Sequence, residues 1–146
     1  MALLQISEPN ESPEPHTRRL AVGIDLGTTN SLVATIRNAV PECLPDVDGH
    51  TMLPSAVRYG EEGVIEIGDA ALAHRGDDAL NTITSVKRFM GRSVADLRGD
   101  ATARYQFSTP TGDGKGQLKI TTRQGAMSPI DISAEILRAL KDRAEQ

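Results

Sequence analysis

Two apolar, β-type runs joined by a short polar stretch constrain this chain more than any other feature. Leu20-Ala21-Val22-Gly23-Ile24-Asp25 carries bulky apolar residues at every second position with small ones between, the pattern of a buried strand. Leu32 to Ile36 repeats the apolar, β-branched signal. Gly27-Thr28-Thr29-Asn30 lies between them and is too short for a crossover helix. The two strands are therefore expected to be antiparallel neighbours joined by a tight turn.

That turn also holds the sharpest chemical signal. A phosphate chain needs several donors converging on a small volume, with no side chain shielding the backbone. Gly27 permits close approach, and consecutive amides at Thr28, Thr29 and Asn30 can form an anion-binding nest. The two threonine hydroxyls and the Asn30 amide add donors. Asp25, at the strand end, is placed to hold a hydrated divalent metal through its waters. The spacing is neither that of a Walker A loop nor that of G-x-G-x-x-G. A plain polar hairpin turn, with Asp25 as its local acceptor, fits the same residue types equally well.

Further strands are expected over Glu42 to Leu44, Leu53 to Tyr59 and Val64 to Ile67, with Asp48-Gly49 as a turn needing positive φ. Asp69 is expected to cap a short helix, Ala70 to Arg75, stopped by Gly76. Tyr105 to Thr109 and Gln117 to Thr122 bracket the glycine-rich 112–116 segment as a hairpin with a flexible tip. One helix is expected from Thr82 to Met90, with Asn81 as cap, Gly91 as stop and Ile83, Val86, Phe89 and Met90 on one face. A second is announced by Ser128-Pro129-Ile130-Asp131, a capping box with proline at the first helical position. Its stripe is Ile132, Ile136, Leu137, Leu140 and Ala144. Residues 1–19, where Pro9, Pro13 and Pro15 alternate with Glu8, Glu11 and Glu14, read as a solvated tail.

Composition narrows the function classes. The 146 residues suit one domain, and 16 basic against 20 acidic residues leave no basic footprint for nucleic acid. No stretch approaches the ~20 apolar residues needed to cross a bilayer. The single cysteine, Cys43, can form neither an intrachain disulfide nor a thiolate cage, and reads as a small hydrophobe in a strand of a protein from a reducing cytoplasm. His16, His50 and His74 share no ligand spacing and read as surface residues. Asp77, Asp78, Asp96 and Asp100 read as solvated loop charges and caps.

Taken together, Ala21-Val22-Gly23-Ile24-Asp25-Leu26-Gly27-Thr28-Thr29-Asn30-Ser31 resembles the first phosphate loop of the seventy-kilodalton heat-shock chaperones, the DnaK family. Asn81-Thr82-Ile83, followed by Val86-Lys87-Arg88-Phe89-Met90-Gly91-Arg92, resembles that family's second signature, and Leu53-Pro54-Ser55 a third. The opening Met1 to Pro9 and the Ser93-Val94-Ala95-Asp96 segment are similar to the bacterial branch that serves iron–sulfur cluster assembly. The resemblance implies an α/β, actin-like ATPase (ribonuclease H-like) half-domain: a mixed sheet with packed helices and a small α+β subdomain. It implies ATP or ADP with Mg2+ as cofactors. Asp25 would position the magnesium waters. Gly27, Thr28, Thr29 and Asn30 would touch the β- and γ-phosphates or the attacking water, Thr29 with a catalytic part. Lys87 would orient that water and offset charge developing at the γ-phosphate. Arg88 is open between cleft lining and a surface ion pair. The partners implied are a J-domain co-chaperone and an iron–sulfur scaffold protein.

In the resembled family the nucleotide sits between two lobes, and neither a second phosphate loop, an adenosine-binding segment nor a peptide-binding domain is found here. Residues 20–146 are thus expected to be the amino-terminal lobe of such a domain, inactive in ATP turnover by itself because half a cleft excludes no water. The last helix is expected to leave part of its stripe exposed, or covered by another copy. Two other readings stand beside this one. A sugar kinase on the same fold shares Asp-x-Gly-Thr loops but lacks the Lys87 signature, and a non-catalytic interaction module remains a description of the isolated chain.

Overall fold

The computed structural model describes residues 21–97, 104–109 and 116–146. The tail expected over 1–19, the hairpin tip at 112–115 and Asp100 lie outside them. The first sheet is built on β1 (Val22–Asp25) and β2 (Asn30–Arg37), antiparallel with Asp25 opposite Leu32, as the short connection requires. A two-residue turn at Asn38 and Ala39, both at positive φ, returns the chain into β3 (Val40–Cys43). β4 (Leu53–Pro54) pairs with the start of β2, setting Asn30 opposite Pro54 and Ser31 opposite Leu53.

The apolar run from Leu53 to Tyr59 is two strands rather than the single one expected. Ser55 interrupts it, and β5 (Ala56–Tyr59) leaves for a second sheet between β6 (Ile65–Ile67) and β7 (Thr82–Thr84). Helix α1 (Asp69–Ala73) is shorter than expected and starts one residue earlier. Gly68, at φ 72°, occupies the cap position assigned to Asp69, and a Cβ there would stand 2.6 Å from Leu53 Cδ1. A third sheet joins β8 (Phe107–Ser108), β9 (Lys119–Thr122) and β10 (Gly125–Met127). Tyr105 falls outside β8, and β10 was not foreseen because its Gly-Ala-Met sequence carries no β-branched residue.

Thr82 to Met90 is not a helix. Thr82-Ile83-Thr84 pairs with β5 as a strand, Ser85 turns in the left-handed region at φ 55°, and Val86–Phe89 makes one 3-10 turn before Gly91 at φ 69°. Two β-branched threonines around Ile83 suit a pleated surface better than a helix. Spacing misled because Val86 and Phe89, three apart, also eclipse on a 3-10 turn. Ile83, Val86 and Phe89 are buried all the same, with Phe89 packed against Tyr105 and Phe107 at ring separations of 6.0 and 5.4 Å.

Helix α2 (Pro129–Ala144) begins where its capping box places it. Ser128 Oγ accepts from the Asp131 amide at 3.1 Å, while the Asp131 carboxylate accepts from the Ser128 amide and hydroxyl at 2.9 and 2.7 Å. Its Ile132, Ile136 and Leu140 have no exposed surface, packed over β2 and the 3-10 turn in one continuous core. The exposed stripe expected of this helix is therefore mostly covered, with Leu137 at its margin 38% exposed. Open apolar surface lies instead along the first sheet, at Val22, Ile24, Ile36 and Val40. Cys43 is in a strand as expected, but exposed. All strand pairs among the described residues are antiparallel, so the mixed sheet expected is not formed within them. The connections from β1 to β2 and from β2 to β3 are too short for the crossover that parallel pairing needs.

Candidate functional site

The bend between β1 and β2 owes its shape to Gly27. A Cβ on that residue would lie 1.9 Å from the Asn30 carbonyl oxygen, so only glycine lets the chain fold back so tightly. The Gly27 amide donates to Ser31 Oγ at 3.2 Å, and its carbonyl accepts from Ser55 Oγ at 2.9 Å. Ser55 also donates its backbone amide to the Thr29 carbonyl at 2.8 Å. Among the described residues, no hydrogen bond engages the amide or hydroxyl of Thr28 or Thr29.

These residues open onto a hollow of about 180 Å³. Thr28, Thr29 and Asn30 of the bend line it together with Pro54 to Ala56 and with Thr84 and Ser85. Leu72 and Arg75, from α1 and the turn after it, and Arg104 complete the lining. The lining residues include no Asp or Glu and two arginines. Hydroxyls, backbone amides without partners among the described residues and two arginines make a donor set suited to an anion such as a phosphate chain. The hollow is smaller than the ~300 Å³ at which pockets begin to enclose a drug-sized ligand, so it forms a wall rather than a container.

The expected site residues separate into two groups. Thr28, Thr29 and Asn30 line the hollow together, with Gly27 as their hinge. Asp25 is exposed at the end of β1, and Lys87 is exposed on the 3-10 turn, two residues beyond Ser85; neither lines the hollow. Arg88 is exposed as well. Sequence reasoning missed the buried Ser31–Ser55 pair, Arg75, Arg104 and the Thr84–Ser85 lining. The Leu53-Pro54-Ser55 signature was the available signal for Ser55.

Away from the hollow, Asp78 is not the solvated loop charge it was expected to be. Its carboxylate accepts from Asn81 at 2.6 Å, Arg58 at 2.9 Å and Arg123 at 3.1 Å, tying the second sheet to the third. The Asn81 amide first, then Arg58 and Arg123, hold its pKa below the ordinary value against the opposing effect of burial. Asp96 does act as a cap, on the Ser93 amide. His50 is exposed, as expected, beside the Asp46 turn, while His74 is only half-buried and pairs with Asp77.

Comparison with known proteins gives the chain's relatives. The Hsp70 protein family matches residues 21–146. A chaperone protein HscA homolog of Laribacter hongkongensis is 57% identical over 145 residues, 99% of this chain. The HscA homologs of Bordetella pertussis and Burkholderia multivorans are 57% and 58% identical over the same span. In each case the alignment covers 23% of the relative's own length.

Proposed function

This chain belongs to the Hsp70 family, and from that premise we propose that it is the amino-terminal part of the nucleotide-binding domain of an ATP-driven chaperone. Residues 20–146 are assigned to one lobe of an actin-like, ribonuclease H-like domain, and residues 1–19 to a tail. The observation that carries the reading is the shared hollow, lined both by the Thr28–Asn30 bend and by the Thr84–Ser85 segment that leads into Lys87.

In this reading Thr28, Thr29 and Asn30 grip the β- and γ-phosphates through amides and hydroxyls. Thr29 also orients the attacking water. Lys87 takes the growing negative charge of the γ-phosphoryl group, carried on a flexible stem from the turn that follows Ser85. Asp25 holds the waters of Mg2+, which supplies charge neutralisation on the phosphates when bound. The family's other lobe closes over the hollow, excludes water and carries the adenosine site. Hydrolysis then switches client affinity in a separate domain, a coupling between distinct sites. Similarity to HscA homologs supports iron–sulfur protein maturation as the setting, with a J-domain co-chaperone and an iron–sulfur scaffold protein as partners in a reducing cytoplasm. No helix among the described residues is long and apolar enough to cross a membrane.

Titration calorimetry and steady-state hydrolysis test the proposal. The isolated 146-residue chain is expected to show no ATPase turnover and at best weak binding of Mg–ATP. In the full-length protein, Lys87→Ala is expected to lower kcat by about 100-fold or more. Because Lys87 is exposed, thermal stability should stay within ~0.5 kcal/mol of the parent. Unchanged hydrolysis in that variant would remove Lys87 from the mechanism.

A further inference from the structure

The hydrogen bonds beneath the phosphate bend form a ring with only one possible direction. Ser55 Oγ lies 2.9 Å from the Gly27 carbonyl, a group that can only accept, so the single Ser55 hydroxyl proton is spent there. The contact of 2.8 Å between Ser31 Oγ and Ser55 Oγ must then carry the Ser31 proton. Ser31 Oγ in turn accepts from the Gly27 amide at 3.2 Å. The relay runs from the Gly27 amide to Ser31, from Ser31 to Ser55, and from Ser55 back to the Gly27 carbonyl. Both serines are almost fully buried, at 1% and 3% exposure, so water does not compete for these bonds.

From this closed circuit we infer that Ser55 is a positioning residue for phosphate binding, acting through Ser31 to lock the peptide groups on both sides of Gly27. The inference rests on the phosphate-loop reading above. With both Gly27 polar groups engaged below the bend, the next residues, Thr28 and Thr29, line the hollow, and among the described residues their amides carry no hydrogen bond. The Ser55 amide holds the Thr29 carbonyl as well, at 2.8 Å, which keeps that acceptor from turning toward an incoming phosphate. An anion nest built in advance spends none of its binding energy on ordering the loop. Ser55 itself sits at the break between β4 and β5, where the chain leaves one sheet for the next, so the clamp is anchored by backbone from both sheets.

The test is calorimetry on the full-length protein with two ligands, Mg–ATP and adenosine. Ser55→Ala leaves the Gly27 carbonyl and the Ser31 proton without partners. It is expected to weaken Mg–ATP about tenfold while leaving adenosine affinity unchanged. Equal weakening of both ligands means a general structural role and overturns the inference. Unchanged Mg–ATP affinity in Ser55→Ala overturns it too. Thr28→Ala, run in parallel, separates the two levels of the argument: if it weakens Mg–ATP and Ser55→Ala does not, the clamp fails and the site stands. If neither variant changes affinity, the phosphate-loop reading itself falls. Should Ser55→Ala not fold, amide hydrogen exchange on the ligand-free parent decides the matter. The Gly27 amide should exchange slowly, and exchange at the rate of an open turn overturns the relay.

Discussion

The bend after β1 and the segment from Thr82 to Gly91 both carry family signatures, yet they take their shape from different sources. The bend is shaped mainly by contacts within five residues: Gly27 against the Asn30 carbonyl, the Gly27 amide on Ser31, and flanking strands that pair through the turn itself. The 82–91 segment has local turns at Ser85 and Gly91 but depends on distant partners for its strand and its place in the core. Its strand exists because β5 lies alongside, Tyr105 covers its other edge by accepting the Thr84 amide at 3.0 Å, and Phe89 is held by Tyr105 and Phe107. The residues proposed to grip phosphate thus sit on backbone bent by local contacts and held from beneath by the distant Ser55, whereas the lysine proposed for catalysis sits on backbone positioned by the core. Substitutions in the first region should disturb ligand binding before stability. Core substitutions in the second should do the reverse.

Gly27→Ala tests the first half of that contrast and has the largest expected effect. The added methyl meets a backbone carbonyl rather than a flexible side chain, so the loop itself must move. Mg–ATP binding by the full-length protein should fall by ~100-fold or more, with a stability loss of ~2 to 3 kcal/mol, read by calorimetry and thermal unfolding. Retention of near-normal affinity would mean the bend is not the gripping element.

Ile83→Ala probes the second half. Ile83 has no exposed surface, and truncating a buried isoleucine costs ~2 to 5 kcal/mol. The melting temperature should drop by several degrees, while Mg–ATP affinity measured well below the transition should change less than threefold. A large affinity loss in the folded variant would show that the two regions are not independent.

Asp78 gives the smallest effect and a pH signature. Its folded-state pKa lies below the ordinary 3.8, so its stabilising contribution is present above that value and is lost as pH falls through the depressed one. Asp78→Asn should lower stability at neutral pH by ~1 to 2 kcal/mol and flatten the acid limb of the unfolding curve below pH ~4. An unaltered acid limb would place the acid sensitivity elsewhere, with Asp131 in its capping box the next carboxylate to examine.

Hairpin, glycine and helix cap were legible because each depends on partners a few residues away. Asp25 and Leu32 face each other across a turn too short for anything else, and Ser128 and Asp131 cap one another within a single turn of α2. Apolar positions were legible in part: Ile83, Val86 and Phe89 are in the core although a strand and a 3-10 turn carry them rather than a helix, whereas Val22 and Ile24, expected in a buried strand, are exposed. Asp78 was misjudged because Arg58 and Arg123 lie 20 and 45 residues away in sequence. Of the candidate site, Thr28, Thr29 and Asn30 could be placed from the sequence, whereas Ser55 as their support could not.

By itself the sequence determined the β1–β2 hairpin, the glycine its bend requires, the capped start of α2 and the membership in a chaperone family. Long-range packing makes Thr82–Thr84 a strand, lets Ser55 close a circuit with Ser31 across 24 residues, and selects the segments that line the hollow. The physical reason is range. Steric and capping effects act over a turn of chain and are written in consecutive residues. Strand pairing and buried hydroxyl circuits depend on which distant segment the core brings alongside.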